Sequence, residues 1–183
     1  MHGFSGSGKT TVSQYILEAL PMIRIRSDIE RRRLHKIEPD EKSQSEINKG
    51  IYDEHASRKT YDHLRRLAGD ILLAGKSVIV DAAFLQAKQR KQFAQLASTL
   101  GIPYCIIDCH AEYAILEQRI TERQIHGSDA SEASLSVLLH QQENHEPLTD
   151  EEHRAAFVVG STEPVSIKTV TDHLSALIHG LKY

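Results

Sequence analysis

Nine residues near the amino end, GFSGSGKTT at positions 3–11, restrict this chain more than any other stretch. Gly3, Gly8, Lys9 and Thr10 fit the spacing G-x-x-x-x-G-K-[ST]. Glycines so placed let consecutive backbone N–H groups turn inward around an anion. Val12, Tyr15, Ile16, Ala19 and Leu20 then recur at helical spacing up to Pro21, so a helix begins where the loop needs its positive end. On this reading Lys9 reaches the β- and γ-phosphates of a nucleotide and the Thr10 hydroxyl holds Mg²⁺. A dinucleotide fingerprint is excluded, because Thr11 stands where its third glycine belongs.

Such a loop follows a buried strand, yet only Met1 and His2 precede Gly3. The expectation is that several apolar residues lie upstream of Met1; without them two neighbouring strands have unpaired edges. Downstream, MIRIRSD alternates like a half-exposed edge strand. Residues 45–74 read as a helix closed by Gly75. SVIVDA and YCIIDC are continuous apolar runs, the pattern of parallel strands covered on both faces, and the helix between them ends at Gly101. Helices over 111–125 and beyond the polar HGSDAS, a strand AAFVV and a helix over 169–181 complete the series. Strands alternating with helices predict an α/β sandwich with a mostly parallel sheet, one domain over residues 1–183.

A net charge of −3 gives no bulk attraction to nucleic acid or to an anionic membrane. No apolar run reaches the length of a membrane span, and no signal peptide opens the chain. The two cysteines, Cys105 and Cys109, read as buried reduced thiols. A cytoplasmic location is expected. The eleven histidines show no metal-ligand spacing and read as surface or packing residues.

A phosphate cradle needs a second site to define a reaction, and ligands of open α/β sheets bind beyond the carboxyl ends of the strands. Asp28 follows IRIRS and Asp81 follows SVIV. A carboxylate at 28 can accept the proton of a hydroxyl attacking the γ-phosphate, with Arg31 one helical turn on to clamp the acceptor; the bland alternative is a helix N-cap. Asp81 either organises Mg²⁺ and the acceptor or merely ends a strand. Arg119 and Arg123 share a helix face and can neutralise the moving phosphoryl group beneath a lid, or else pair with Glu117 or Glu122 at the surface. Tyr52 and Tyr61 belong to the acceptor pocket or to the core.

GFSGSGKTT, IRIRSDIERRRL, TYDHLRRLAGDILLAGKSVIVDAAFL and RQIHGSDASEASLSVLLHQQENHEPL together resemble the P-loop kinases of the adenylate-kinase-like superfamily. The nearest group is the ATP-binding domain fused behind an aminoglycoside-phosphotransferase-like domain in bacterial two-domain proteins. The resemblance implies a three-layer P-loop NTPase fold with strand order 2-3-1-4-5, its first strand largely missing here, and a helical lid at about 119–145. It implies that Ser5, Gly6, Ser7, Gly8, Lys9, Thr10 and Thr11 bind ATP. Arg119 would lie against adenine or phosphates, Arg123 would face the γ-phosphate, and Ser161 in GSTEP would lie near adenine. Asp28, Arg31 and Asp81 would serve the acceptor, with Thr10 and Asp81 at Mg²⁺. Ala82 and Ala83 depart from relatives that carry a hydroxyl residue or Asn there.

The function expected from these residues is ATP- and Mg²⁺-dependent phosphorylation of a small-molecule hydroxyl. A nucleic-acid 5′-hydroxyl kinase with a basic groove at Arg24, Arg26 and Arg31–Arg33, and a nucleotide-binding regulatory module of a two-domain protein, are the alternatives.

Overall fold

The computed structural model describes residues 1–37, 53–126, 134–160 and 164–180. Two parallel strand pairs form the sheet: β1 (Met22–Arg26) with β2 (Ser77–Asp81), and β3 (Ile106–His110) with β4 (Ala156–Gly160). The first three residues join them. His2 donates its N–H to Ile107 O (2.7 Å) and accepts from Cys109 N–H (2.9 Å), while Gly3 donates to Ala83 O (3.2 Å) and the Met1 amino group to Val80 O (3.0 Å). The lateral order is therefore β1, β2, residues 1–3, β3, β4, which is the expected 2-3-1-4-5 with residues 1–3 as the end of the first strand. Between β2 and β3, beside Met1, lies a cavity of about 690 Å³, walled by apolar residues such as Val78, Val80, Phe93, Ile106 and Leu174.

Helices cover both faces of the sheet. On one face, Val12 and Ile16 of α1 (Lys9–Ala19), Leu20 just past its end, and Val170 and Leu174 of α8 (Pro164–Gly180) pack on Ile79, Ile107 and Val159. On the other, Tyr61, Leu64 and Ala68 of α3 (Glu54–Leu73) and Phe93 of α4 (Ala87–Leu100) pack on Ile25 and Phe84. Fully buried Ile16 and Leu64 contribute about 1.5–3 kcal/mol each relative to exposure. A third cluster joins Leu116 and Ile120 of α5 (Tyr113–His126) to Leu138 of α6 (Leu135–Glu143).

Most of the expected elements are present, with shifted ends. Gly75 and Gly101 take positive φ just past α3 and α4, as C-terminal glycines do. The strand in YCIIDC starts at Ile106, and the closing helix starts at Pro164 rather than 169, since proline suits a first helical turn. An unexpected short helix, α7 (Asp150–Arg154), is nucleated by a Thr149–Glu152 capping box. The edge strand buries Ile25 but leaves Ile23 43% exposed, so its two faces do not separate cleanly. The expected helix before Asp53 falls on residues outside those described, as does Tyr52. Cys105 and Cys109 are free thiols. Among the described residues no helix is long and apolar enough to cross a membrane.

Candidate nucleotide site

The loop after residues 1–3 keeps its shape because only glycine fits. Gly6 has φ +84, and a Cβ there would stand 2.9 Å from Leu116 O; at Gly3 a Cβ would stand 2.4 Å from Cys109 O. Gly8, also left-handed, caps α1. Ser7 is 1% exposed and its Oγ has no partner among the described residues, so the loop holds a buried hydroxyl in want of an acceptor or donor. The Lys9 Nζ donates to the carbonyls of Gly3 (2.9 Å) and Phe4 (2.6 Å). Burial pulls its pKa down, partly offset by the charge of Asp81.

A cavity of about 190 Å³ opens at this loop. Ser5, Gly6, Gly8, Lys9, Thr10 and Thr11 form one wall, with Asp81 beside them. Asp28 and Arg31, in α2 (Ser27–Leu34), form another, and Arg123 enters from α5. Residues spread over 28–123 in sequence thus meet the phosphate loop. Asp28 lies inside the first turn of α2, one residue past its start, so the N-cap reading gives way to a different tether. Arg26 grips it with both arms, Nε to Oδ1 (3.1 Å) and Nη2 to Oδ2 (2.5 Å), and Ile29 N–H adds a bond to Oδ1 (2.8 Å). A carboxylate has about four acceptor positions, so Oδ2 keeps one for a ligand.

Asp81 ends β2 at 5% exposure, with Ser13 Oγ 3.3 Å from its Oδ2. Thr10 and Asp81 bring a hydroxyl and a carboxylate to one cavity, hard oxygen donors of the kind Mg²⁺ takes. Ala83 meets the loop through its backbone, its carbonyl accepting from Gly3 N–H at 3.2 Å.

Arg119 is not among the residues lining this cavity, but its Nη1 donates to Gly6 O of the loop at 3.2 Å. Ser161 lies outside the described residues. Three members of the expected basic groove are engaged within the chain: Arg24 bonds Ser13 Oγ (2.9 Å), Thr10 O and Gln14, Arg26 holds Asp28, and Arg33 pairs with Glu30 (2.5 Å). Tyr61 packs in the core, accepts from Phe84 N–H (3.2 Å) and also lines the cavity.

Two features carry no sequence signal. Gln141 of α6 lines the cavity and accepts from Ser5 N–H at 2.9 Å, yet sits in an ordinary polar run, HQQEN. Buried Asp108 is held between His2 (2.6 Å) and His110 (2.7 Å), so these two histidines have a hydrogen-bonding role beyond packing.

The family described as an AAA domain matches residues 1–148, and the chain belongs to that family. No curated protein matches it. Among solved structures it is similar to a gluconokinase from Sinorhizobium meliloti 1021, with 18% identity, TM-score 0.60, and 95% of this chain and 93% of that one covered. It is also similar to Chaetomium thermophilum Kti12 in complex with ADP-AlF3 (14%, TM-score 0.70, 97% and 96%). Mycobacterium tuberculosis APS kinase CysC, in complex with AMPPNP and APS, matches at 16% identity and TM-score 0.63, with 97% and 94% covered. The fold is the α/β P-loop NTPase fold that these kinases share.

Proposed function

We propose that this chain is a kinase domain that transfers the γ-phosphate of ATP to a hydroxyl of a small molecule. The observation that carries the reading is the single cavity in which the phosphate loop meets Asp28, Arg31, Asp81 and Arg123. The loop amides and Lys9 hold the β- and γ-phosphates, and Lys9 leaves the Gly3 and Phe4 carbonyls to do so. Asp28, oriented by Arg26, accepts the proton of the attacking hydroxyl at its remaining Oδ2 position. Arg31 holds the acceptor. Arg123 offsets charge on the moving phosphoryl group, and Arg119 fixes the loop through Gly6. Mg²⁺, held by Thr10 and Asp81, supplies charge neutralisation between the phosphates when bound. We further propose a cytoplasmic domain at the carboxy-terminal end of a two-domain protein, an upstream apolar strand filling the cavity between β2 and β3.

The test is incubation with Mg²⁺ and γ-labelled ATP in a small-molecule extract, scoring label in new compounds. Label is expected in an alcohol-bearing product, and both Lys9→Ala and Asp28→Asn reduce it by about 10²-fold or more. Tight Mg·ATP binding without any labelled product would overturn the kinase reading and favour a regulatory nucleotide module.

A further inference from the structure

Gln141 falls within the expected lid stretch but has no role of its own in the phosphate-loop or strand-end motifs, yet its Oε1 accepts from Ser5 N–H at 2.9 Å across 136 positions of chain. The place of Ser5 in the loop gives that contact a meaning. The Lys9 Nζ rests on the carbonyls of Gly3 and Phe4, and the lysine of such a loop reaches the β- and γ-phosphates. Ser5 directly follows those residues, so Gln141 meets the loop where the terminal phosphate lies, away from the α1 end. It also lines the cavity shared with Lys9, Asp28 and Arg123. A carboxamide carries two N–H donors beside its acceptor oxygen, and no hydrogen bond from Gln141 Nε2 is found among the described residues.

We propose that Gln141 is a γ-phosphate ligand carried on α6: Oε1 keeps the Ser5 N–H while Nε2 donates to a terminal oxygen of ATP. This rests on the reading of the loop as a nucleotide site. The Ser5 bond fixes the side chain before the nucleotide arrives, which cuts the entropy cost of the new bond. Leu138, three residues earlier on α6, packs on Leu116 and Ile120 of α5, the helix that bears Arg119 and Arg123. A ligand that engages Gln141 therefore draws on the same helix pair as the arginines. ADP lacks the phosphate that reaches Nε2, so Gln141 discriminates between the two nucleotides.

Calorimetric titration of the full chain with Mg·AMPPNP and with Mg·ADP tests this. Wild type binds both, and Lys9→Ala weakens both. Gln141→Ala weakens Mg·AMPPNP about tenfold and leaves Mg·ADP within about twofold. Gln141→Glu preserves the size and the acceptor for Ser5 but sets a negative charge against the phosphate; it weakens Mg·AMPPNP further than alanine does, again sparing Mg·ADP. Equal losses for both nucleotides, or no loss for either, would overturn the assignment and leave the nucleotide site standing. Failure of wild type to bind either nucleotide would overturn the site as well.

Discussion

At the carboxyl ends of the strands, a cavity of about 190 Å³ is lined by Lys9, Thr10, Asp28, Asp81 and Arg123; between β2 and β3 below Met1, one of about 690 Å³ is lined by Val78, Val80, Phe93, Ile106 and Leu174. The larger space offers contact area without direction, whereas the smaller sets charges and donors at fixed points. Size alone does not mark the candidate site: the larger cavity lies between two strands that residues 1–3 bridge at one end. Chemistry needs the opposite condition, in which several elements converge on few atoms. Between the two cavities stands a wall made of Tyr61, Phe84 and Arg90, the first lining the small cavity and the others the large one.

Breaking that wall gives the largest expected loss of stability. Arg90 is 1% exposed, and all of its bonds hold backbone or charge. It donates to Glu152 (2.7 and 3.1 Å) and to the carbonyls of Phe84 (3.1 Å), Glu146 (2.9 Å) and Pro147 (2.9 Å). Burial works to raise the Glu152 pKa, but the bonds from Arg90 and Thr149 prevail and hold it below its usual range. Arg90→Met leaves three carbonyls without the Arg90 donor and the Glu152 carboxylate with only its Thr149 bond, at an expected cost of about 3–5 kcal/mol in denaturant unfolding. A cost under about 1 kcal/mol would show that the edge-to-face packing of Phe84 with Tyr61 and Phe93 holds the wall unaided.

The two cavities were unequally legible from sequence. The loop announces itself because its chemistry is local: Gly3, Gly8, Lys9 and Thr10 are close neighbours in sequence and backbone geometry dictates their types. Asp28 and Asp81 were found by rule, since strand ends point at the site in such sheets. Gln141 had no such rule, as its role depends on how α6 docks on the loop from 136 residues away. Arg119 and Arg123 sit on one helix face, but spacing alone could not tell which would face the cavity and which would brace Gly6. The apolar cavity was foreseen only as unpaired strand edges, and its volume needed coordinates.

Filling the large cavity sharpens the contrast from the other side. The Met1 amino group is bonded to Val80 O, and burial lowers its pKa, with Asp81 opposing. Joining five apolar β-branched residues to Met1 replaces that ammonium by a neutral peptide N–H and extends both ladders. Burial of the added side chains outweighs the backbone entropy of ordering them. A Tm rise of several degrees is expected by calorimetry, absent for an extension of the same length made of Lys and Glu. An unchanged Tm would mean that the strand pairs close over the cavity in solution.

The seam between the two halves gives the smallest effect and the one most sensitive to pH. His2 bridges to Asp108 through the backbone, and its ring bonds the same carboxylate at 2.6 Å, while His110 takes the other oxygen at 2.7 Å. Burial opposes ionisation of Asp108, yet these bonds outweigh it and the pKa lies below the ordinary 3.8. A carboxyl whose folded pKa is depressed stabilises the fold above its unfolded pKa, and the contribution is lost as pH falls through the folded value. Asp108→Asn should therefore cost about 1–2 kcal/mol near neutral pH, measured by denaturant midpoint, with the gap to wild type narrowing below about pH 4. A gap that stayed constant into acid would assign the loss to shape and not to charge. Because His2 leads directly into Gly3 and the phosphate loop, the same substitution also asks whether the seam positions the site. Nucleotide affinity that falls in step with stability near neutral pH would tie them together, and unchanged affinity would show that the loop's other bonds, from Arg119 to Gly6 O and from Ser5 N–H to Gln141, suffice to hold it.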